Sequence, residues 1–231
     1  MNEKIVSYLR SLDNVSYADI IDAAERGRGE CIYFSPSSGI IWKHSCGTLY
    51  IAGDADEELL SHIPSSGLAA VHSDSIAKYM IDELGWEGNE PTYLFVYNKN
   101  ECFEDNPLVG LLTIDSLHFV MENYNVSSEH DIAKAIESGH LFALFSDDGK
   151  IMAFAGFHEE DAMGMLTVLP EYRRNGYGEL LEKHLISTCL KENRKAFCNV
   201  FVSNAPSIAL QNKLGLVRAP ILSWWIWKDL D

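Results

Sequence analysis

No apolar run in this 231-residue chain approaches the roughly 18–20 residues that a membrane span requires. Its start, Met1-Asn2-Glu3-Lys4, lacks the basic opening and apolar core of a secretory signal, so a cytoplasmic setting is expected, with no membrane partner. Basic residues are scarce. Eighteen Lys and Arg face 34 Asp and Glu, for a net charge of −16, which argues against nucleic acid or an anionic membrane surface as partner. Cysteines are few, five in all, and none forms a C-x-x-C pair, so reduced core thiols are expected rather than a disulfide framework. The histidines show no metal-ligand spacing, and no metal is expected.

The acidic excess is uneven: net −11 over the first 114 residues and −5 over the rest. Such a surface keeps a protein soluble and also attracts cationic amines. Two blocks are read from the pattern. Residues 1–110 show two amphipathic helices, short apolar strands and a strand–helix–strand run. Asn98–Pro107 is a polar connection. Residues 111–231 open with two helices, the second ending at Gly139. A strand pair follows around Asp147-Asp148-Gly149. Then come a strand Met163–Val168, a glycine turn, a long helix, a strand Phe197–Val202, a helix Ala205–Lys213 and an aromatic strand Leu222–Trp227. The fold class is α/β, with an α+β mixed sheet. Val71–Gly85 and Val202–Gly215 echo each other as strand, polar turn, helix, Leu-Gly. The first block is therefore read as a degenerate half of similar build, or the echo as chance.

The turn Arg173-Arg174-Asn175-Gly176-Tyr177-Gly178 carries the chemistry. It ends a strand and opens a helix, so several backbone N–H groups lack intrahelical partners and face a positive dipole end. Glycine permits close backbone approach, and the two arginines add charge, which suits a diphosphate. In the helix, Leu180, Leu181, His184, Leu185, Thr188 and Cys189 are expected to form the inner face, with Glu179, Glu182, Lys183, Lys191 and Glu192 outside. An ordinary strand–turn–helix corner would show the same glycines.

Arg173-x-x-Gly176-x-Gly178, preceded by Leu166-x-Val168-x-Pro170, resembles the acetyl-CoA signature of the GNAT N-acetyltransferases. Asn204, Ser207, Leu210 and Lys213-Leu214-Gly215-Leu216 resemble the family's second motif, in the expected order. Pro170-Glu171-Tyr172-Arg173 and the Trp-rich last strand are similar to the glycine N-acyltransferase-like branch. The resemblance covers residues 115–231. It implies a mixed sheet that splays between Met163–Val168 and Phe197–Val202, with acetyl-CoA in the splay. It places the pyrophosphate on Arg173, Arg174, Asn175, Gly176, Tyr177 and Gly178. Pantetheine lies along Leu166 and Val168, with Asn204 and Ser207 beside it. A small-molecule amine or amino acid attacks the thioester directly.

Such a reaction needs a base, an oxyanion donor and an acid. On the resemblance the oxyanion donor is a backbone N–H of Met163–Val168. The base is sought in His158-Glu159-Glu160-Asp161, with Glu160 first and His158 second; a solvated hairpin turn would look alike. Gln211 stands where many members carry Tyr, and glutamine cannot protonate a thiolate. That departure keeps a non-catalytic CoA-binding sensor in view. Ser223-Trp224-Trp225-Ile226-Trp227 reads as core or as an apolar acceptor wall. The N-terminal block reads as a lid or as a homodimer surface.

Overall fold

A computed structural model describes residues 1–88 and 90–229. In chain order its elements are α1 (Asn2–Leu12), α2 (Ala18–Glu25), β1 (Glu30–Ser35), β2 (Gly39–Lys43), β3 (Leu49–Gly53) and α3 (Glu57–Leu60). Next come β4 (Gly67–Val71), α4 (Asp74–Asp82), β5 (Glu87–Gly88), β6 (Thr92–Tyr97), β7 (Val109–Leu111), α5 (Leu117–Asn123) and α6 (Glu129–Glu137). The chain ends with β8 (Leu141–Phe145), β9 (Ile151–Phe157), β10 (Met163–Val168), α7 (Tyr177–Lys191), β11 (Ala196–Phe201), α8 (Ala205–Leu214) and β12 (Val217–Lys228). Strands β5 and β7 carry too little pattern to have been read from sequence, and β12 is twice the expected length.

The chain packs into two compact units. The first holds residues 1–96, 199–212 and 216–231; the second holds 97–198 and 213–215. The division is therefore not consecutive along the chain, and the last strand joins the N-terminal residues.

In the first unit the strands run β1-β2-β3-β4-β12-β6-β11, with β5 on β12. The sheet is mixed: β3 and β4 are parallel, while β12 is antiparallel to both β4 and β6. Both faces are covered, which is why these strands read as continuous apolar runs. Ile40, Trp42, Tyr50 and Ala70 pack with Ile5, Leu9, Ile20 and Ile21 of α1 and α2. Their strand neighbours Ile41, Ile51 and Val71 pack on the other face with Leu59, Ile76 and Met80 of α3 and α4. Side chains alternate in the same way along β12. Trp225 joins the first cluster, and Trp224 and Ile226 the second.

The second unit has a four-stranded antiparallel sheet ordered β10-β9-β8-β7. Gly149 turns the β8–β9 hairpin at φ +79°. Ser128 and Asp131 form a reciprocal capping box at the start of α6. Val120, Ile132 and Ile136 of α5 and α6 pack onto Leu141, Phe154 and Met165 of the sheet. Helix α7 lies against β9 and β10. Its buried residues are Leu181, Glu182, Leu185, Ile186, Ser187 and Cys189. This corrects the expected outer position of Glu182 and rotates the inner face away from Leu180 and His184. The expectation of core thiols is corrected as well: Cys189 and Cys198 are buried, Cys31 and Cys46 are half-buried, and Cys102 is exposed.

A polar chain crosses the apolar interior of the first unit. Asp19 of α2 lies 2.9 Å from His72 Nε2, with both side chains out of solvent. His72 Nδ1 lies 2.8 Å from Ser223 Oγ on β12. Removing the imidazole would strand a buried carboxylate. His72→Ala is therefore expected to cost about 3–5 kcal/mol, and Ser223→Ala about 1 kcal/mol. Urea unfolding midpoints measure both, and a loss at His72 no larger than at Ser223 would deny the chain its role.

Candidate active site

Strand β10 pairs with β9 on one side only and forms the edge of its sheet among the described residues. Its ladder is broken once. Gly164 pairs with Gly156 and Thr167 with Phe154, so Met165 and Leu166 together oppose one residue. Met165 adopts φ +55°, an unusual left-handed setting for a side chain of its size. Such a bulge re-aims the local backbone and takes amides off the ladder. Pairing resumes at Thr167 and Val168, and the Leu169 N–H bonds Met152 O at 3.1 Å.

A short 3₁₀ turn, Pro170–Tyr172, follows, with proline where no donor is needed. Arg173 Nε donates to Val168 O at 3.0 Å, which folds the arginine back onto the end of the strand. Asn175 Nδ2 donates to the Tyr172 and Arg173 carbonyls at 3.1 and 3.3 Å. Arg174 and Gly176 both take left-handed backbone, at φ +68° and +81°. Gly176 is the N-cap of α7, and no side chain caps the helix there. A Cβ built on Gly176 meets nothing within 4 Å, so the approach to these amides is open. The turn thus presents a 15-residue helix dipole and uncapped amides to solvent.

Glu179 lies in the first helical turn, where a bare carboxylate would repel an anion. It is held instead by Lys183 at 2.8 Å and Lys213 at 2.5 Å. These hydrogen bonds, Lys183 first, keep its carboxyl below the usual range. With Arg173 and Arg174 exposed at the turn, the local balance is cationic despite the acidic chain.

The loop between β9 and β10 sorts its four polar residues. The Glu159 carboxylate pairs with Lys134 at 2.5 Å. Asp161 turns the loop at φ +70° and lies 3.4 Å from Arg194, both side chains being buried. Arg194 also pairs with Glu192 at 3.0 Å and covers the Phe157 ring at 4.2 Å. Glu159 and Asp161 thus have structural employment. His158 lies against Gly164, where a Cβ would come within 2.3 Å of its Nε2. The charge of Glu160 is felt at Tyr124, which had no role in the sequence pattern. Burial, and then the Glu160 charge, raise the Tyr124 phenol above its ordinary range. Tyr124 ends α5 next to Ser127, and its spacing gave no signal that it would meet a loop 36 residues on.

The remaining expected residues are elsewhere. Asn204 and Ser207 belong to the first unit, where Asn204 Oδ1 accepts the Ser207 N–H at 3.2 Å and shapes the start of α8. Gln211 is buried on α8 at 1% exposure. Trp224 Nε1 donates to Asp74 at 2.7 Å, and Trp225 packs on α1 and α2, so both serve the sheet. Among the described residues, no three His, Cys, Asp or Glu side chains gather as metal ligands. No described helix is long and apolar enough to cross a membrane.

Residues 111–216 match the model of the Acetyltransferase (GNAT) family. No curated protein sequence matches the chain. Among solved structures, a Drosophila melanogaster protein superposes with a TM-score of 0.69 at 15% identity, covering 99% of this chain and 95% of its own. A GCN5-related N-acetyltransferase from Kribbella flavida gives 0.59 at 11% identity, covering 93% and 96%. A GNAT-family acetyltransferase from Colwellia psychrerythraea gives 0.53 at 15% identity, covering 96% and 97%. At these identities the structures speak for the fold, which extends through the N-terminal residues. The family match is thus to residues 111–216, and the solved structures share the fold over nearly the whole chain.

Proposed function

We propose that the chain transfers an acyl group from acetyl-CoA to the amine of a small molecule or amino acid, in a ternary complex. The observation that carries this is the uncapped amino end of α7 behind the left-handed turn at Arg174 and Gly176. Open approach, aligned amides and two exposed arginines suit a diphosphate. Acetyl-CoA supplies the activated acyl group. The chain's own part is to hold it and to manage charge. The open edge of β10 offers backbone groups of Leu166 and Val168 to an extended arm. The bulged Met165–Leu166 backbone supports the role of oxyanion donor. Asn204 and Ser207 are assigned to the pantetheine arm by their motif.

Glu160 is assigned as the base that takes the ammonium proton, with His158 as second candidate. The match of His158, Glu160 and Gly164 to the family's stretch before the central strand supports this choice. Gln211 cannot act as acid, so the departing thiolate takes its proton from water or from another donor. The similarity to the glycine N-acyltransferase-like branch favours an amino-acid acceptor. Residues 111–231 carry the transfer on this reading, and 1–110 form an accessory domain.

Calorimetric titration with acetyl-CoA, followed by thiol release against a panel of amines and amino acids, tests the proposal. Acceptor-dependent release is expected; binding without release would point to a CoA sensor, and absence of binding would overturn the site. Gly176→Trp is expected to weaken acetyl-CoA binding at least about tenfold, because the indole blocks the amides and left-handed backbone penalises a side chain. Gly176→Asn tolerates that backbone and should lose less. Equal affinity in all three proteins would remove the turn from the cofactor site. Glu160→Gln should lower turnover about 10²-fold or more and leave acetyl-CoA affinity alone. An unchanged rate and pH profile would pass the role to His158.

A further inference from the structure

The hairpin joining β2 to β3 gathers three polar side chains. His44 Nδ1 lies 2.9 Å from Cys46 Sγ, and Thr48 Oγ1 lies 3.3 Å from the same sulfur. The Cys46 N–H also reaches Nδ1, at 3.3 Å. The turn is closed on itself, with His44 N–H donating to Thr48 O and Gly47 N–H to His44 O, each at 2.8 Å. His44 is 2% exposed and its ring packs edge-on to Tyr50, so the imidazole is held in place. Cys46 itself is half-buried.

A cleft of about 370 Å³ borders this hairpin. Lys43, His44 and Ser45 line one side, and Gly27, Gly29 and Glu30 the other. Gly29 can carry no side chain, since a Cβ would come within 2.1 Å of Lys43 O. Among the described residues that line the cleft, Lys43 and Glu30 carry charge.

We propose that Cys46 is a thiol–disulfide exchange site, positioned by His44, for a low-molecular-weight disulfide. The thiol proton passes to His44 Nδ1. The Cys46 sulfur attacks one sulfur of the disulfide, a new S–S bond forms and the old one breaks. The released thiolate takes the proton from the imidazolium. Cys46 is oxidised to a mixed disulfide and one small thiol is reduced, so the exchange needs no other reactant. Burial acts upward on the Cys46 thiol, but hydrogen bonds with His44 and Thr48 outweigh it and bring the group below the ordinary thiol range. A thiolate at neutral pH is the reactive form. Cys31, also half-buried, is pushed upward by burial.

The test uses the full chain with oxidised glutathione at pH 7, and mass spectrometry with peptide mapping to place each adduct. Exposed Cys102 is the internal reference. Glutathione is expected on Cys46 at least about tenfold faster than on Cys102. His44→Asn should bring the Cys46 rate down to that of Cys102, and Thr48→Val should lower it less. In His44→Asn the pH midpoint of Cys46 alkylation should move up, with Cys102 unmoved. Faster modification of Cys102 in the unaltered protein would overturn the proposal, as would an unmoved midpoint in His44→Asn. If His44→Asn fails to fold, the comparison of Cys46 with Cys102 and the Thr48→Val rate decide. Acetyl-CoA binding plays no part in this experiment, so its outcome is independent of the acyltransferase reading.

Discussion

The insertion of β12 between β4 and β6 is the constraint on which the first unit depends. Without it β4 and β6 are two separate edges, and the apolar residues on both faces lose their neighbours. The last strand of the chain thereby completes a sheet begun by residues 30–71. Pairings such as Trp225 with Ala70 close a loop of more than 150 residues. Loop closure of that length costs entropy before any contact repays it. The return comes from continuous burial on two faces, and the Asp19–His72–Ser223 chain fixes which residues meet. A strand slipped by one residue would turn Ser223 away from His72 and send Trp225 and Ile226 to the wrong faces. Polar contacts inside an apolar layer specify register because the misregistered alternative leaves them unpaired.

The two blocks follow a common order of elements, helix–helix–three strands–helix–strand–helix–strand. Run α1 to β6 and run α5 to β12 share it, with a short extra β5 in the first. The sequence echo at Val71–Gly85 and Val202–Gly215 falls on the same place in each, β4–α4 and β11–α8. The difference lies where the anion turn would be. In the first run the helix after the third strand, α3, has only four residues, and the Asp56 side chain accepts the Leu59 N–H. Asp54, Glu57 and Glu58 add negative charge there. In the second run, Gly176 leaves the amides of a 15-residue helix uncapped. One helix start is already occupied by a carboxylate of its own chain, and the other is open to a ligand. This explains why only the second run supports an acyl-CoA reading.

Most strands and helices were legible because their patterns are local. Thr92–Tyr97 and Met163–Val168 are runs of β-formers bounded by turn residues, and Ser128 with Asp131 announces the start of α6. The glycine turn before α7 was legible for the same reason. What stayed hidden depends on partners far along the chain. Glu182 looks like a solvent-facing residue by helical period, yet α7 packs broadly enough on its sheet to bury it. Asp19, His72 and Ser223 are unremarkable alone, and their meeting requires the whole topology. The bulge at Met165 has no sequence signature, since no glycine marks the left-handed residue. Cys46 and His44 are two apart, but only the closed hairpin turn brings sulfur and ring nitrogen together.

The loop of residues 158–161 gives its adjacent polar side chains different settings. By sequence Glu160 is the first candidate base of the four and His158 the second. Burial of Asp161 against Arg194 makes it a fixed counter-ion, since separating such a pair would leave an uncompensated charge inside the protein. Lys134 takes Glu159. His158 is placed by contact with Gly164, so its position depends on the absence of a side chain two residues before the bulged pair. Burial first, and then the Glu160 charge, hold the Tyr124 phenol above its ordinary range, so Tyr124 keeps its proton in this corner of the unit.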